Sequence, residues 1–303
     1  MQIIRSIDDY DRSDAVLLSI GVFDGVHLGH RAVLRSLVAQ RTPGTLAAAL
    51  TFERHPQTFL HPEDAPKSIT TVDEKINLLD ACGLDVLFLL TFDERIAGLA
   101  PETFLEDVLL RRLKAKLLVV GDNWRFGKAR AGDAALARRV LEARGCRFEA
   151  AALAESGGEK ISSSRIRSLI EERRFDDADR LLGSPYVVRG MVTAGEGRGH
   201  VLGYPTANLA LPEEKLVPTD GVYAATARLD GADHAAVVSI GSKPTFGGTT
   251  SVVEAHLLDF DRSIYGEQIA LHAWSFVRDQ ERFENAAALV GQMGRDVAAV
   301  RGR

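Results

Sequence analysis

Cysteine is scarce in this chain of 303 residues: only Cys82 and Cys146 occur, and they form no CxxC pair. Zinc-ligand spacing is therefore absent. Two isolated thiols fit small buried residues of a reduced, cytoplasmic protein. Long apolar runs are lacking too. No stretch of 18 apolar residues exists, so no membrane span is expected. The opening MQIIRSIDDYDRSD is charged and has no apolar core of signal-peptide length. Basic excess is also missing: 37 Lys and Arg stand against 42 Asp and Glu. A nucleic-acid binder usually carries a basic footprint, so that class is set aside. An anionic ligand would be held by a few placed donors and not by a general field. Low-complexity tracts and long single-sign charge runs are absent, which excludes extended disorder.

What is present is ordinary globular material, 46% apolar and 26% charged, long enough for two cores. The first half alternates strand-like and helix-like segments. Val16–Phe23, Leu46–Phe52, Val86–Phe92 and Leu117–Val120 read as strands. His30–Gln40, Asp73–Ala81, Pro101–Leu110 and Gly132–Ala143 read as helices. That order predicts an α/β Rossmann-like domain, a parallel sheet covered on both faces. Two short helices follow, Arg165–Arg173 and Asp176–Leu182. After Gly183-Ser184-Pro185 strand signals dominate: Tyr186–Thr193, Val222–Leu229, Ala235–Ile240, Ser251–Leu258 and Gln268–Phe276. The spacing predicts a small antiparallel β-barrel domain closed by a C-terminal helix over Phe283–Val300. The expected domains are 1–183 and 184–303. Ser184–Arg303 carries 11 basic and 14 acidic residues and the preceding part 26 and 28, so neither half is the charged partner of the other.

The first constellation lies where Val16–Phe23 runs into Asp24-Gly25-Val26-His27-Leu28-Gly29-His30. Ligands of doubly wound sheets sit at the carboxyl ends of strands, near helix N-termini that favour phosphate. His27 and His30 are three apart, so one helical turn places both on one face. Gly29 permits close approach of a phosphate to the backbone, and Gly21, Phe23 and Asp24 beside it are candidate ATP- and phosphate-binding residues. Two imidazoles there suit transfer at an α-phosphorus by donating to oxygens that gain charge. Read alone, a histidine pair at this spacing more often marks surface or capping residues, and the strand-to-helix context with its glycines favours function. The segment is neither a Walker loop nor a GxGxxG fingerprint. A second piece is Ile161-Ser162-Ser163-Ser164-Arg165-Ile166-Arg167, where Ser163, Ser164 and Arg167 either cap a helix or clamp phosphate. A third is Gly121–Gly127, a loop with Asn123 and Trp124 after the fourth strand.

These segments resemble nucleotidylyltransferases with the HxGH signature, and more closely the bacterial bifunctional riboflavin kinase/FAD synthetase family. Thr51-Phe52-Glu53-Arg54-His55-Pro56 resembles TFEPHP with Arg54 for proline, and Gly121–Gly127 resembles GxDFxFG with Asn123 for aspartate. The resemblance implies flavin contacts at Phe52, His55, Pro56 and Asn123.

The second constellation is the glycine-rich Gly195–Tyr204, including Gly195 and Gly203, followed by Pro205-Thr206-Ala207-Asn208. Thr206 and Asn208 alternate on an extended segment and face one way, offering hard oxygen ligands of the kind Mg²⁺ prefers. Glu254 sits in strand Ser251–Leu258 on one face with Val252, His256 and Leu258. A carboxylate there could take a proton from an alcohol, or be an ordinary surface glutamate. Gly203–Leu209 is similar to the G[FY]PTANL signature of riboflavin kinases, and Ser239–Phe246 resembles NIGxRPTF with Lys243 for arginine. By this likeness Thr206 and Asn208 hold metal and phosphate, Glu254 is the base, and Arg278 with Phe283–Asp296 helps to hold the flavin. The likeness implies ATP, riboflavin and FMN as small-molecule substrates, Mg²⁺ as cofactor, and neither nucleic-acid nor membrane partners. Two alternatives stay open: a kinase with a degenerate adenylyltransferase half, and a non-catalytic flavin sensor.

Overall fold

The computed structural model describes residues 1–152, 155–156, 159–195, 199, 202–245 and 248–302. The chain forms two compact units, Met1–Ser163 and Ser164–Arg303.

The first unit is built on six parallel strands: β1 (Gln2–Ile4), β2 (Ala15–Ile20), β3 (Thr45–Phe52), β4 (Val86–Leu90), β5 (Ala115–Gly121) and β6 (Arg147–Ala151). Their order is β1-β4-β3-β2-β5-β6. Alternate side chains supply two cores. Leu18, Ala48, Leu50, Phe88, Leu118 and Val120 pack on one face, and Leu17, Ala47, Ala49, Leu87, Leu89, Leu117 and Val119 on the other. Burial on both faces is why these strands read as unbroken apolar runs. The chain moves one way from β2 through β3 to β4 and the other way through β5 to β6, so the switch point falls beside β2. The helix expected over Pro101–Leu110 differs in kind: one α turn at Pro101–Thr103 passes into a π-helix, Phe104–Arg112. The wider turn brings Phe104 and Leu109, five apart, into the core together. Strands β1 and β6 were not legible from periodicity. A two-stranded ribbon, β7 (Glu155–Ser156) and β8 (Glu159–Lys160), completes the unit.

The second unit is a closed antiparallel barrel: β9 (Val188–Thr193), β10 (Ala207–Ala210), β11 (Gly221–Leu229), β12 (Ala232–Thr245), β13 (Gly248–Leu257) and β14 (Gln268–Arg278), in the order β10-β13-β12-β11-β14-β9. Terminal helix Ala286–Arg301 packs Val297 and Val300 on Ala224, Val237 and Leu258. Helices Ser163–Glu171 and Phe175–Leu182 group with the barrel, so the compact units meet at Ser163, earlier than the change of sequence pattern at Gly183. The cause is packing. Phe175 meets Tyr223 edge-on at 5.9 Å, and Arg173 lies 3.9 Å over the Phe276 ring.

Candidate active sites

The turn after β2 is strained. Phe23 (φ 51°) and Val26 (φ 37°) occupy left-handed backbone beside Gly25 (φ 79°). A β-branched residue rarely adopts that conformation, and such strain concentrates at functional sites. Several side chains hold it. The Asp24 carboxylate is buried and accepts from the Ile69 and Thr70 N–H groups, both at 3.1 Å. The Thr70 hydroxyl accepts from Gly25 N–H at 3.1 Å, and Ser163 donates to the Asp24 carbonyl at 2.9 Å. Asp24 and Ser163, both expected at the phosphates, therefore tie the loop together.

The loop delivers His27 and His30. His27 caps helix Leu28–Ala39, its Nδ1 accepting from the His30 N–H at 3.3 Å. The ring hydrogen is thereby assigned to Nε2. The two imidazoles stack at 3.6 Å and 16°, and Phe23 meets His30 edge-on at 5.2 Å. Burial pushes His27 down to about 4, with Asp24 opposing, and pushes His30 well below the usual range, helped by His27. Both rings are neutral donors at pH 7. His30 Nδ1 is buried and has no hydrogen-bond partner among the described residues. Gly21 lies against the Phe23 ring, which an added Cβ would meet at 3.3 Å, and Gly29 stands half-buried in the helix's first turn.

The neighbouring strand end joins this loop. Thr51 donates to the Val22 carbonyl at 2.9 Å, and Lys75 donates to the Phe52 carbonyl at 2.5 Å. Lys75 is buried, which pushes its ammonium down to about 8 against the pull of Asp24 and Glu53. Phe52 meets Phe92 edge-on at 5.1 Å, and exposed Phe59 meets the same ring at 6.0 Å. His55 Nδ1 accepts from the Gln57 N–H at 3.1 Å, and Pro56 leads into helix Gln57–Leu60. Asn123 is exposed in the turn after β5, and Trp124 stacks on Phe126 at 4.2 Å. Ser164 and Arg167 stand in the first two turns of helix Ser163–Glu171, within the second compact unit.

In the barrel, register brings the expected residues together. Asn208 pairs with Glu254 across β10 and β13, and Glu254 pairs with Ser239 across β13 and β12. Glu254 thus has polar cross-strand neighbours, not the apolar surroundings its own strand suggested. Gly195 abuts the Asn208 amide so closely that an added Cβ would lie 2.1 Å from its nitrogen. At Gly199 a Cβ would stand 2.4 Å from the Tyr204 carbonyl and 3.2 Å from the Thr206 hydroxyl. Gly203 needs its hydrogen side chain for conformation alone (φ 83°). Glu196–Arg198, His200, Val201 and Phe246 lie outside the described residues. Beside Thr206 a cavity of about 460 Å³ opens between Val192, Phe260, Arg262, Ile264 and Tyr265. Arg278, expected at the flavin, has a partner within the barrel unit. Its fork is closed on Asp296 at 2.9 and 2.8 Å, both side chains largely buried, which pins the terminal helix to β14.

The FAD synthetase family model matches residues 10–165, and the riboflavin kinase model matches residues 182–302. The chain belongs to the bifunctional riboflavin kinase/FMN adenylyltransferase family. The enzyme of that name from Escherichia coli K12 is 33% identical over 99% of this chain and 97% of its own length. That from Bacillus subtilis is 34% identical over 92% and 90%. A crystal structure from Streptococcus pneumoniae, described as a macrolide-efflux protein, superposes with a TM-score of 0.85 at 31% identity over 99% of this chain and 98% of that one. Among the described residues here no helix is long and apolar enough to cross a membrane.

Within this flavin kinase/adenylyltransferase frame, several site residues escaped the sequence reading. Lys75 left one signal: it lies four residues before Leu79 and so shares that residue's buried stripe. Phe260 and Tyr265 flank the turn after β13 but show no periodicity to single them out. The two cysteines are free thiols, and burial pushes Cys146 up to about 11.

Proposed function

We propose that the barrel transfers the γ-phosphoryl group of ATP to riboflavin, and that the α/β unit transfers AMP from a second ATP to the resulting FMN. What supports the reading is that each unit carries a cluster suited to handling phosphate: the stacked neutral imidazoles at the end of β2, and the facing Asn208–Glu254 pair of the barrel.

In the adenylyl step an FMN phosphate oxygen attacks the α-phosphorus, and the bond to the β,γ-pyrophosphate breaks. His27 Nε2–H and the His30 ring donate to oxygens that gain charge. Neutral donors held rigidly by stacking need no reorganisation as that charge develops. Gly21 and Gly29 leave room at the helix N-terminus for phosphate. Ser163, through Asp24, keeps the loop in its strained form, and Phe52 with Phe59 and Phe92 offers an aromatic edge for the flavin. Ser164 and Arg167 are proposed as phosphate donors.

In the kinase step the ribityl 5′-hydroxyl attacks the γ-phosphorus, Glu254 accepts the hydroxyl proton, and ADP leaves. Thr206 and Asn208 would supply the hard oxygen donors that suit Mg²⁺, with Glu254 opposite Asn208 and Gly195 packed against its amide. The ion, when bound, neutralises phosphate charge. The cavity lined by Phe260, Ile264 and Tyr265 suits the adenine ring. A reaction fed by ATP and holding two free thiols is proposed for the cytoplasm. Incubation of the purified protein with riboflavin, ATP and Mg²⁺, resolved by chromatography, tests the reading. FMN should appear first and FAD after it. Unchanged riboflavin would refute the kinase half, and FMN that never becomes FAD would refute the other.

A further inference from the structure

The ladder between β10 and β13 runs Leu209 to Val253, Asn208 to Glu254 and Ala207 to Ala255, and there it stops. The residues that come next toward the glycine-rich loop are Thr206 and Pro205. Proline has no N–H to continue a ladder. Its carbonyl is taken up by a side chain instead: His256 Nδ1 lies 2.8 Å from the Pro205 oxygen. A carbonyl oxygen can only accept, so the imidazole hydrogen sits on Nδ1. The same ring meets Tyr204 edge-on at 5.5 Å and 72°. Tyr204 in turn donates its N–H to the Gly199 carbonyl at 2.8 Å. One half-buried imidazole thus fastens β13 to both residues that precede Thr206, and through them to the glycine-rich loop. His256 stands two residues from Glu254, so the two side chains share a strand face.

We propose that His256 is a positioning residue for riboflavin phosphorylation: by holding the Pro205 carbonyl it sets Thr206 where the nucleotide phosphates and their metal ion meet it. The inference rests on the assignment of Thr206, Asn208 and Glu254 made above. Without the hydrogen bond nothing in the ladder fixes the Pro205–Thr206 peptide. A displacement of about 1 Å at such a point is worth about a hundredfold in rate.

Three variants of the full chain test it. His256→Leu removes the donor. His256→Asn restores an amide N–H close to where Nδ1 stood. Glu254→Gln probes the underlying assignment in the same assay. In His256→Leu, kcat for FMN formation should fall about ten- to a hundredfold, while riboflavin binding by fluorescence quenching stays as in the parent and shows the barrel folded. Calorimetry of ADP should show the parent binding more tightly with Mg²⁺ than without it. His256→Leu should lose most of that gain, and His256→Asn should recover both the gain and the rate to within a few-fold. The proposal is overturned if His256→Leu keeps the parent rate and the Mg²⁺ gain. It is overturned as well if Asn and Leu are equally impaired, since ring packing would then be the whole role. A parent rate in Glu254→Gln would bring down the assignment beneath it, and the proposal with it. Loss in Glu254→Gln beside full activity in His256→Leu would bring down the proposal alone.

Discussion

The two sites of this chain are held in shape by different means. At the end of β2 the backbone itself is strained, and buried polar groups keep it so: Asp24 on the Ile69 and Thr70 amides, Ser163 on the Asp24 carbonyl. In the barrel, site residues sit opposite one another by strand register, Asn208 on Glu254 and Glu254 on Ser239. A register-built site depends on close approach between neighbouring chains. A strained loop depends on burial and on the protonation state that burial enforces. The two should therefore fail under different perturbations.

The largest expected break is Glu254→Gln. FMN formation should drop about 10²- to 10⁴-fold, while FMN-to-FAD conversion holds, in separate initial-rate assays. His30→Ala should do the reverse. FAD formation from FMN should fall about 10²- to 10³-fold, and riboflavin phosphorylation should remain; equal loss of both would mean misfolding.

Acid should separate the units next. Burial keeps His27 neutral, so the folded unit takes that proton only near pH 4, whereas the unfolded chain takes it near 6.5. The stability gained is complete above about pH 6.5 and is lost as pH falls toward 4, amounting to about 2–3 kcal/mol at about pH 4.5. His27→Asn keeps a capping oxygen but cannot titrate, and should flatten that loss. Each unit carries one tryptophan, Trp124 and Trp274. Urea unfolding of a Trp274→Phe background, followed through Trp124 at pH 7 and pH 4.5, reads the effect.

Glycine substitutions sharpen the contrast at the smaller end. Gly195→Ala drives a methyl into the Asn208 amide and should lower kinase kcat by about tenfold or more. Gly21→Ala comes nearest to the Phe23 ring, at 3.3 Å, and should lower adenylyl transfer by no more than about a few-fold. Similar effects for the two would remove the distinction between the sites.

Much of this was legible in the chain. Apolar runs at β2 to β5 announced strands buried on both faces, and the alternation of Thr206 with Asn208 placed both side chains on one side. What periodicity could not show was tertiary. β1 has three residues, and β6 carries Phe148 among alanines and charges, too little pattern for either. The partners of Asp24 and Arg278, the Ile69–Thr70 amides and Asp296, are distant in sequence and so could not be read from it. Glu254 looked apolar-flanked because only its own strand was visible; Asn208 and Ser239 come to it through register. The division of the compact units at Ser163 is tertiary too, since Phe175 packs on aromatics of β11 and β14.

The most direct test of two independent sites is the flavin profile of an equimolar mixture of Glu254→Gln and His30→Ala proteins given riboflavin, ATP and Mg²⁺. Neither protein alone should make FAD, and the mixture should make it from FMN released by one and adenylylated by the other. A mixture that yields no FAD, from two proteins each folded and each active in its retained step, would contradict the account.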